Sequence, residues 1–302
     1  MKKIIISDLD GTLLTKDKTI YSGTKKAIAE ATKKGVLFAI ASGRAIDECL
    51  VVIKALGLKS FKNIFIIANN GAAIYDVENK RIIGNSFIPN SLSTQIFEYM
   101  QKFSLKSKDK IGGHIHNIDP KTSKYDAKSK NADFSKPQTF SWWNYDTTYN
   151  LTGPKGENLY TNNWPKKIDV KNITSVSNIK NITKFVFYFE NEADKKHIMK
   201  QLSLKFKKVD CFQSAPDNIE VAPKGINKGS AVKAICKILD FKMSEALVFG
   251  DNFNDVPMFK VADAVTLSTA PEGVKKYAKK ILPFDASIFV EKGINEIILN
   301  KK

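Results

Sequence analysis

Arginine is almost missing from this chain. Arg44 and Arg81 are the only two, so the other 46 of its 48 basic residues are lysines. Set against 31 acidic residues, they leave a formal net charge of +17 over 302 residues. Nucleic-acid readers lean on the arginine fork for bidentate contacts to bases and phosphates. A chain with two forks is a poor candidate for specific nucleic-acid recognition. The lysines are spread thinly and read as a solvated surface, with attraction of anionic partners as the functional alternative. Cysteine is scarce as well. Cys49, Cys211 and Cys236 are odd in number and far apart, which argues against a disulfide framework or a cysteine metal site and fits a reducing compartment. Glycine and proline, 16 and 10, are too few for a low-complexity chain. No run reaches the roughly 18 apolar residues of a membrane span. The three isoleucines after Met1-Lys2-Lys3 are too short for a signal peptide. The expectation is a cytoplasmic globular protein of one large domain or two, monomeric or a small homo-oligomer.

What is there has a rhythm. Lys3–Ser7, Val36–Ala41 and Ile64–Ala68 are short continuous apolar runs, and such runs read as buried strands. Between them Ser22–Lys34 and Ala45–Leu56 carry helical spacing, with Ser22 as a plausible N-cap and Gly35 and Gly57 as stops. Strands apolar throughout, alternating with helices, predict a parallel sheet covered on both faces. The pattern then changes. Ala72–Phe87 reads as a hairpin, Ser91–Phe103 as a helix, and residues 104–177 give no placeable element beyond short strands. Lys184–Glu190, Val209–Gln213 and Asn218–Ala222 read as strands and Glu192–Phe206 as a helix. The first rhythm returns with a helix at Asn227–Leu239, a strand at Ala246–Phe249, a helix from near Asn254, a strand at Ala264–Leu267, and helices at Pro271–Lys279 and Ser287–Leu299. The predicted layout is an α/β core from residues 1–83 and 224–302, with a mixed α+β domain, 84–223, inserted between its halves.

Two acidic strand ends carry the candidate chemistry. In Asp8-Leu9-Asp10-Gly11-Thr12 the two carboxylates sit at i and i+2, on one face if the strand continues. They lie where open α/β sheets place their sites, although Asp10-Gly11 between apolar residues is also a turn signal. In Gly250-Asp251-Asn252-Phe253-Asn254-Asp255 a second apolar strand ends in acids, with Asn254 a possible helix cap. If the two ends converge, the carboxylates need a cation, and an all-oxygen set suits Mg²⁺. Ser42-Gly43-Arg44 offers a hydroxyl and N–H groups before a helix, a favourable place for phosphate. Lys228, at the start of another helix, offers a point charge.

In order and spacing these motifs resemble the haloacid dehalogenase superfamily, and most closely its Cof-type phosphatases. Asn69-Asn70-Gly71-Ala72 also resembles that branch's junction between core and cap. The resemblance implies a Rossmann-like core with an inserted cap, and a phosphatase acting on small phosphorylated metabolites such as sugar phosphates. It implies Asp8 as the nucleophile that forms an aspartyl-phosphate, and Asp10 as general acid and then base. Asp10 can do both only with a raised pKa. Mg²⁺ would be held by Asp8, the main-chain carbonyl of Asp10 and Asp251, with Asp255 behind them. Thr12, Ser42, Gly43, Lys228 and Asn254 would meet the phosphate, and Arg44 and Asn70 the rest of the substrate. A phosphomutase would share this chemistry. A non-catalytic nucleic-acid binder on the same core is a distant rival, resting on the +17 charge alone.

Weaker signals remain. His114-x-His116 has metal-ligand spacing but no third ligand nearby in sequence, so the two read as exposed loop or strand residues. Trp142-Trp143 could stack on a sugar or base. The lysines of 106–110 and 121–136 alternate with acids and read as solvated.

Overall fold

A computed structural model describes residues 1–106, 111–118, 149–151, 176–177, 179–189, 191–214 and 216–300. Trp142, Trp143 and the lysine-rich stretch 121–136 lie outside these residues. Two compact units are formed, one from 1–85 and 227–300, the other from the described residues between 86 and 226.

The first unit opens with β1 (Ile4–Ser7), wholly buried as its apolar run demands. Helix α1 (Ser22–Lys33) buries Thr24, Ala27, Ile28 and Ala31, one stripe at helical spacing. Its first turn corrects the sequence reading. Ser22 is already helical, and Tyr21 holds the cap position without a side-chain bond. The Tyr21 N–H is instead taken by the Ser287 hydroxyl at 2.9 Å, a long-range partner that local spacing does not show. Then come β2 (Leu37–Ala41), α2 (Ile46–Ala55) and β3 (Ile64–Ala68). A tight turn at Asn69–Gly71 follows, and the chain returns as the hairpin β4 (Ala73–Asp76) and β5 (Arg81–Asn85).

The second unit carries α3 (Asn90–Lys106), β6 (Ile111–Asn117), β7 (Tyr149–Leu151), β8 (Ile182–Phe189), α4 (Glu192–Lys205), β9 (Val209–Phe212) and β10 (Asn218–Pro223). Its five strands pair antiparallel in the order β7-β6-β8-β10-β9. Alternation decides the faces. Phe185, Phe187, Ile219 and Val221 share a core with Ile96 and Phe97 of α3 and Ile198 and Leu202 of α4. Lys184 and Glu220, on the other face, form a buried ion pair at 3.2 Å. His116, on β6 opposite Lys184, is buried on that same face, which corrects the expectation of an exposed residue.

The first unit resumes with α5 (Lys228–Ile238), β11 (Ala246–Phe249), α6 (Val256–Phe259), β12 (Asp263–Leu267), α7 (Glu272–Lys275), β13 (Lys280–Leu282) and α8 (Ile288–Ile297). Two elements differ from expectation. The helix predicted over Pro271–Lys279 is a single turn, and β13 was not predicted at all. Three residues are too few for a period, and β13 is a strand because it pairs with β12 at the sheet edge. The full sheet runs β13-β12-β11-β1-β2-β3-β4-β5, with its first six strands parallel. Counted along the chain, those six follow the doubly wound order 6-5-4-1-2-3. The order reverses between β1 and β11, and ligands bind at such switch points, beyond the carboxyl ends of the strands. No helix among the described residues is long and apolar enough to cross a membrane.

Candidate active site

β1 and β11 lie in parallel register, Ser7 opposite Phe249, so the residues that follow them leave the sheet together. Asp8 is the first on one side, and its N–H still bonds the Phe249 carbonyl at 2.9 Å. Gly250 and Asp251 follow on the other. The chain then turns sharply at Gly11, where φ is +85° and a Cβ would meet Asp251 Oδ2 at 2.6 Å. Only glycine fits there, and this close approach brings Thr12 to Asp251. The Thr12 hydroxyl donates to Asp251 Oδ1 at 2.6 Å.

Asp255 shapes the β11 loop. Its Oδ2 accepts from the N–H groups of Asp251 and Asn252 at 2.9 and 3.0 Å. Its Oδ1 accepts from the Lys228 ammonium at 2.6 Å. The loop continues as a one-turn 3₁₀ helix, Phe253–Asp255, before α6. Its cap is Asn252, which accepts from the Phe253 N–H at 2.7 Å, rather than Asn254 as the sequence suggested. Asn254 is exposed on the turn.

Lys228 is the first residue of α5 and fully buried. Asn227 fixes that helix start, accepting from the Ser230 N–H at 3.0 Å while the Ser230 hydroxyl accepts from the Asn227 N–H at 2.9 Å. The Lys228 ammonium thus lies between Asp8, at 2.5 Å, and Asp255. Burial raises Asp8 far above the ordinary carboxylate range, to about 8, and the charges of Asp255 and Asp251 add to this against the opposing pull of Lys228. Burial also raises Asp251, aided by Asp255 and opposed by the Thr12 bond. Burial would lower Lys228, but the two carboxylates outweigh it and hold it charged.

Asp10 departs from expectation. Arg44 donates to both of its oxygens, Nε at 2.9 Å and Nη2 at 2.7 Å, and Lys18 donates at 2.7 Å. Burial alone would raise Asp10, but these two cations outweigh it and hold the carboxyl below the ordinary range. The raised carboxyl of the motif is therefore Asp8. Lys18 was missed in the sequence because one lysine in a lysine-rich chain carries no signal. It reaches Asp10 from a tight turn, with φ +59° and the Thr15 and Thr19 hydroxyls bonded at 2.8 Å.

Ser42, Gly43 and Arg44 follow β2, the other neighbour of β1. Ser42 is buried, and its hydroxyl accepts from the Arg44 N–H at 3.2 Å. The turn after β3 braces this loop. The Asn69 N–H bonds the Arg44 carbonyl and the Asn70 N–H the Ser42 carbonyl, each at 2.9 Å. The Asn70 amide lies against Gly43, 3.1 Å from where a Cβ would stand.

Asp8, Asp251 and Asp255 each bring a carboxylate oxygen within 4.8 Å of the others. Lys228 supplies one positive charge for these three acids. At an effective dielectric of 20, two unit charges 4 Å apart interact by about 4 kcal/mol, so the surplus negative charge favours a bound cation. Both oxygens of Asp255 are committed to Lys228 and the loop. Asp8 and Asp251 each keep a second oxygen without a hydrogen-bond donor among the described residues. An all-oxygen set with two open carboxylate positions fits a hard divalent ion.

The fold is doubly wound α/β, with three carboxylates gathered at its switch point. The chain belongs to the haloacid dehalogenase-like hydrolase family, whose sequence signature matches residues 5–287. It is 27% identical over 298 residues, 98% of this chain and 96% of the relative, to the 5-amino-6-(5-phospho-D-ribitylamino)uracil phosphatase YcsE of Bacillus subtilis. A haloacid dehalogenase-like hydrolase from Bacteroides thetaiotaomicron shares its fold, with a TM-score of 0.73 at 20% identity over 99% of this chain and all of that one. So does the subclass IIB sugar phosphatase BT4131, with a TM-score of 0.66 at 18% identity over 99% and 98%.

Proposed function

We propose that the protein is a Mg²⁺-dependent phosphatase that hydrolyses small phosphorylated metabolites through a covalent intermediate on Asp8. The observation that carries this reading is the set of buried Asp8, Lys228 and Asp255 with part-buried Asp251 at the switch point. Asp8 attacks phosphorus, the bond to the leaving oxygen breaks as protonated Asp10 gives that oxygen its proton, and an aspartyl-phosphate forms. Water then attacks phosphorus, Asp10 takes its proton, and phosphate leaves with Asp8 restored. Held below the ordinary range by Arg44 and Lys18, Asp10 is set in this conformation for the second step, as a base. Protonating a leaving oxygen requires those cations to turn from Asp10 to the substrate. Mg²⁺, held by Asp8 and Asp251, would neutralise the carboxylates and the phosphoryl oxygens. Lys228 keeps Asp8 oriented and offsets charge on the transferring group, as phosphoryl transfer requires. Ser42, Gly43 and Asn254 lie on the loops that follow the same sheet edge and would line the phosphate pocket, with Arg44 and Asn70 toward the leaving group, whereas Thr12, expected there from the sequence, is fully buried with its hydroxyl given to Asp251. The residues of 84–223 form the cap that selects substrates, sugar phosphates among them.

The direct experiment is phosphate release from a panel of phosphorylated metabolites, with Mg²⁺ and then with EDTA. Release that needs Mg²⁺ is expected. Full activity in EDTA would refute the metal assignment, and no release from any ester would refute the phosphatase.

Metal binding itself has an expected pH signature. Asp8 holds a proton up to about pH 8 in the metal-free protein, and a cation needs the carboxylate. Binding near pH 6 should therefore release close to one proton, falling to about a tenth near pH 9. Apparent affinity should climb about tenfold per pH unit below 8. Calorimetry in buffers of different ionisation enthalpy measures this directly. Mg²⁺ binding without proton release near pH 6 would show that Asp8 is already ionised.

A further inference from the structure

Ser287 stands more than 270 residues from Thr12 along the chain and touches it in space. It is fully buried and lies in left-handed backbone, φ +69°. Residues other than glycine rarely adopt that conformation, and it persists only where the surroundings hold it. Here four hydrogen bonds do so. The Ser287 N–H donates to the Thr12 carbonyl at 2.5 Å. The Tyr21 N–H donates to the Ser287 hydroxyl oxygen at 2.9 Å. That hydroxyl donates to Thr24 Oγ1 at 3.2 Å. The Thr24 hydroxyl in turn donates to the Ser287 carbonyl at 2.7 Å. Thr12 is also fully buried, and its hydroxyl is spent on Asp251 Oδ1. Ser287 thus holds the loop after β1 through its backbone N–H and the start of α1 through its hydroxyl and carbonyl, and the Thr12 hydroxyl carries the link on to Asp251.

We propose that Thr12 is a positioning residue that aims Asp251 at the cation, and that Ser287 acts through Thr12 as its anchor. This rests on the metal reading given above. Asp251 Oδ1 is fixed by the Thr12 donor, which leaves Oδ2 as the oxygen to face the ion. Without that donor the carboxylate can rotate about its last torsion, and both oxygens compete for loop N–H groups and water. Outer partners of metal ligands set the ligand's orientation, and their loss costs about 10–100-fold in affinity. The turn at Gly11 is held locally by backbone bonds from Thr12 and Leu13, both long at 3.3 Å, and from Leu14 at 2.8 Å, and Ser287 adds a tie to the Thr12 carbonyl from the far end of the chain.

The test reads Mg²⁺ binding by calorimetry, beside the Mg²⁺ dependence of turnover. Thr12→Val keeps the shape and removes the donor, and should raise the Mg²⁺ Kd about tenfold or more. Thr12→Ser returns the hydroxyl and should restore the Kd to within about twofold, since the outer bond is the same. Ser287→Gly keeps the N–H, suits the left-handed backbone and removes the hydroxyl ties. It should raise the Kd several-fold, and adding it to Thr12→Val should change nothing further, because the two act as one unit. In turnover the Mg²⁺ requirement should move in step with the Kd. A Thr12→Val Kd equal to wild type, or Ser287→Gly effects that add fully to it, would overturn the proposal, whatever happens to Tm. If Thr12→Val does not fold, Thr12→Ser and Ser287→Gly still decide between positioning and packing. Failure of the wild type to bind Mg²⁺ would instead remove the metal reading on which the proposal stands.

Discussion

Asp8→Asn should give a folded protein that forms no phosphoenzyme and turns over no phosphate ester. The substitution removes the attacking oxygen and keeps the shape. Loss of a covalent nucleophile costs on the order of 10⁴–10⁶ in kcat. The Asn carbonyl still accepts from Lys228, which also keeps its bond to Asp255. The fold has reason to gain. Asp8 is a buried carboxyl beside two others, pushed up to about 8. Between the unfolded value near 4 and that folded value, the native state holds a proton that the unfolded chain has lost. Stability of the metal-free protein therefore falls as pH rises through that window. Asn carries no such slope. The Tm of Asp8→Asn should match or exceed that of metal-free wild type, and the gap should widen from about pH 5 to about pH 8 before levelling. Labelled phosphate or beryllofluoride incorporation, turnover and thermal melts across that range check the three parts. Normal turnover by a folded Asp8→Asn protein would mean that water attacks phosphorus directly.

Much of this site is legible in the sequence because its chemistry is local. Asp8, Ser42 and Asp251 each end or follow a short apolar strand, and such strands leave their next residues at one sheet edge. Lys228 opens a capped helix, and the cap, Asn227, is readable beside it. Long-range pairing is what the sequence withholds. The ties from Arg44 and Lys18 to Asp10, and from Ser287 to Thr12, span 34, 8 and 275 positions with no shared period. The lowered pKa of Asp10 is hidden in the sequence for that reason, because the motif shows its acidic neighbours and not its cations. β13 escaped because its three residues become a strand only beside β12. Asn252 and Asn254 are equivalent caps by residue type, and only the backbone decides between them.

Lys228→Met should be the most damaging single change to the fold at this site. Lys228 has no exposed side-chain surface, and its ammonium bridges two carboxylates that are themselves buried. Methionine fills the same stem volume and leaves Asp8 and Asp255 without their cation. Breaking a buried ion pair from one side costs about 3–5 kcal/mol, because an uncompensated charge stays behind. Asp8 has a partial escape, since it can keep its proton. Asp255 does not escape so simply, because its Oδ2 also holds the N–H groups of Asp251 and Asn252. Protonation frees the loop it braces, and ionisation leaves a bare charge. The loss should thus be larger near pH 8 than near pH 5, where Asp8 holds its proton. Asp255→Asn in the Lys228→Met background removes the stranded charge and keeps a carbonyl oxygen for the two N–H groups. It should recover a measurable part of the loss, of order 1–3 kcal/mol, the usual coupling of contacting residues. Turnover should fall by at least about 10²–10³, the usual cost of one preorganised electrostatic group, and the double variant should not regain it. Urea unfolding of the metal-free single and double variants at the two pH values makes the comparison. An unchanged urea midpoint for Lys228→Met near pH 8 would show that Asp8 and Asp255 do not depend on this lysine for their burial.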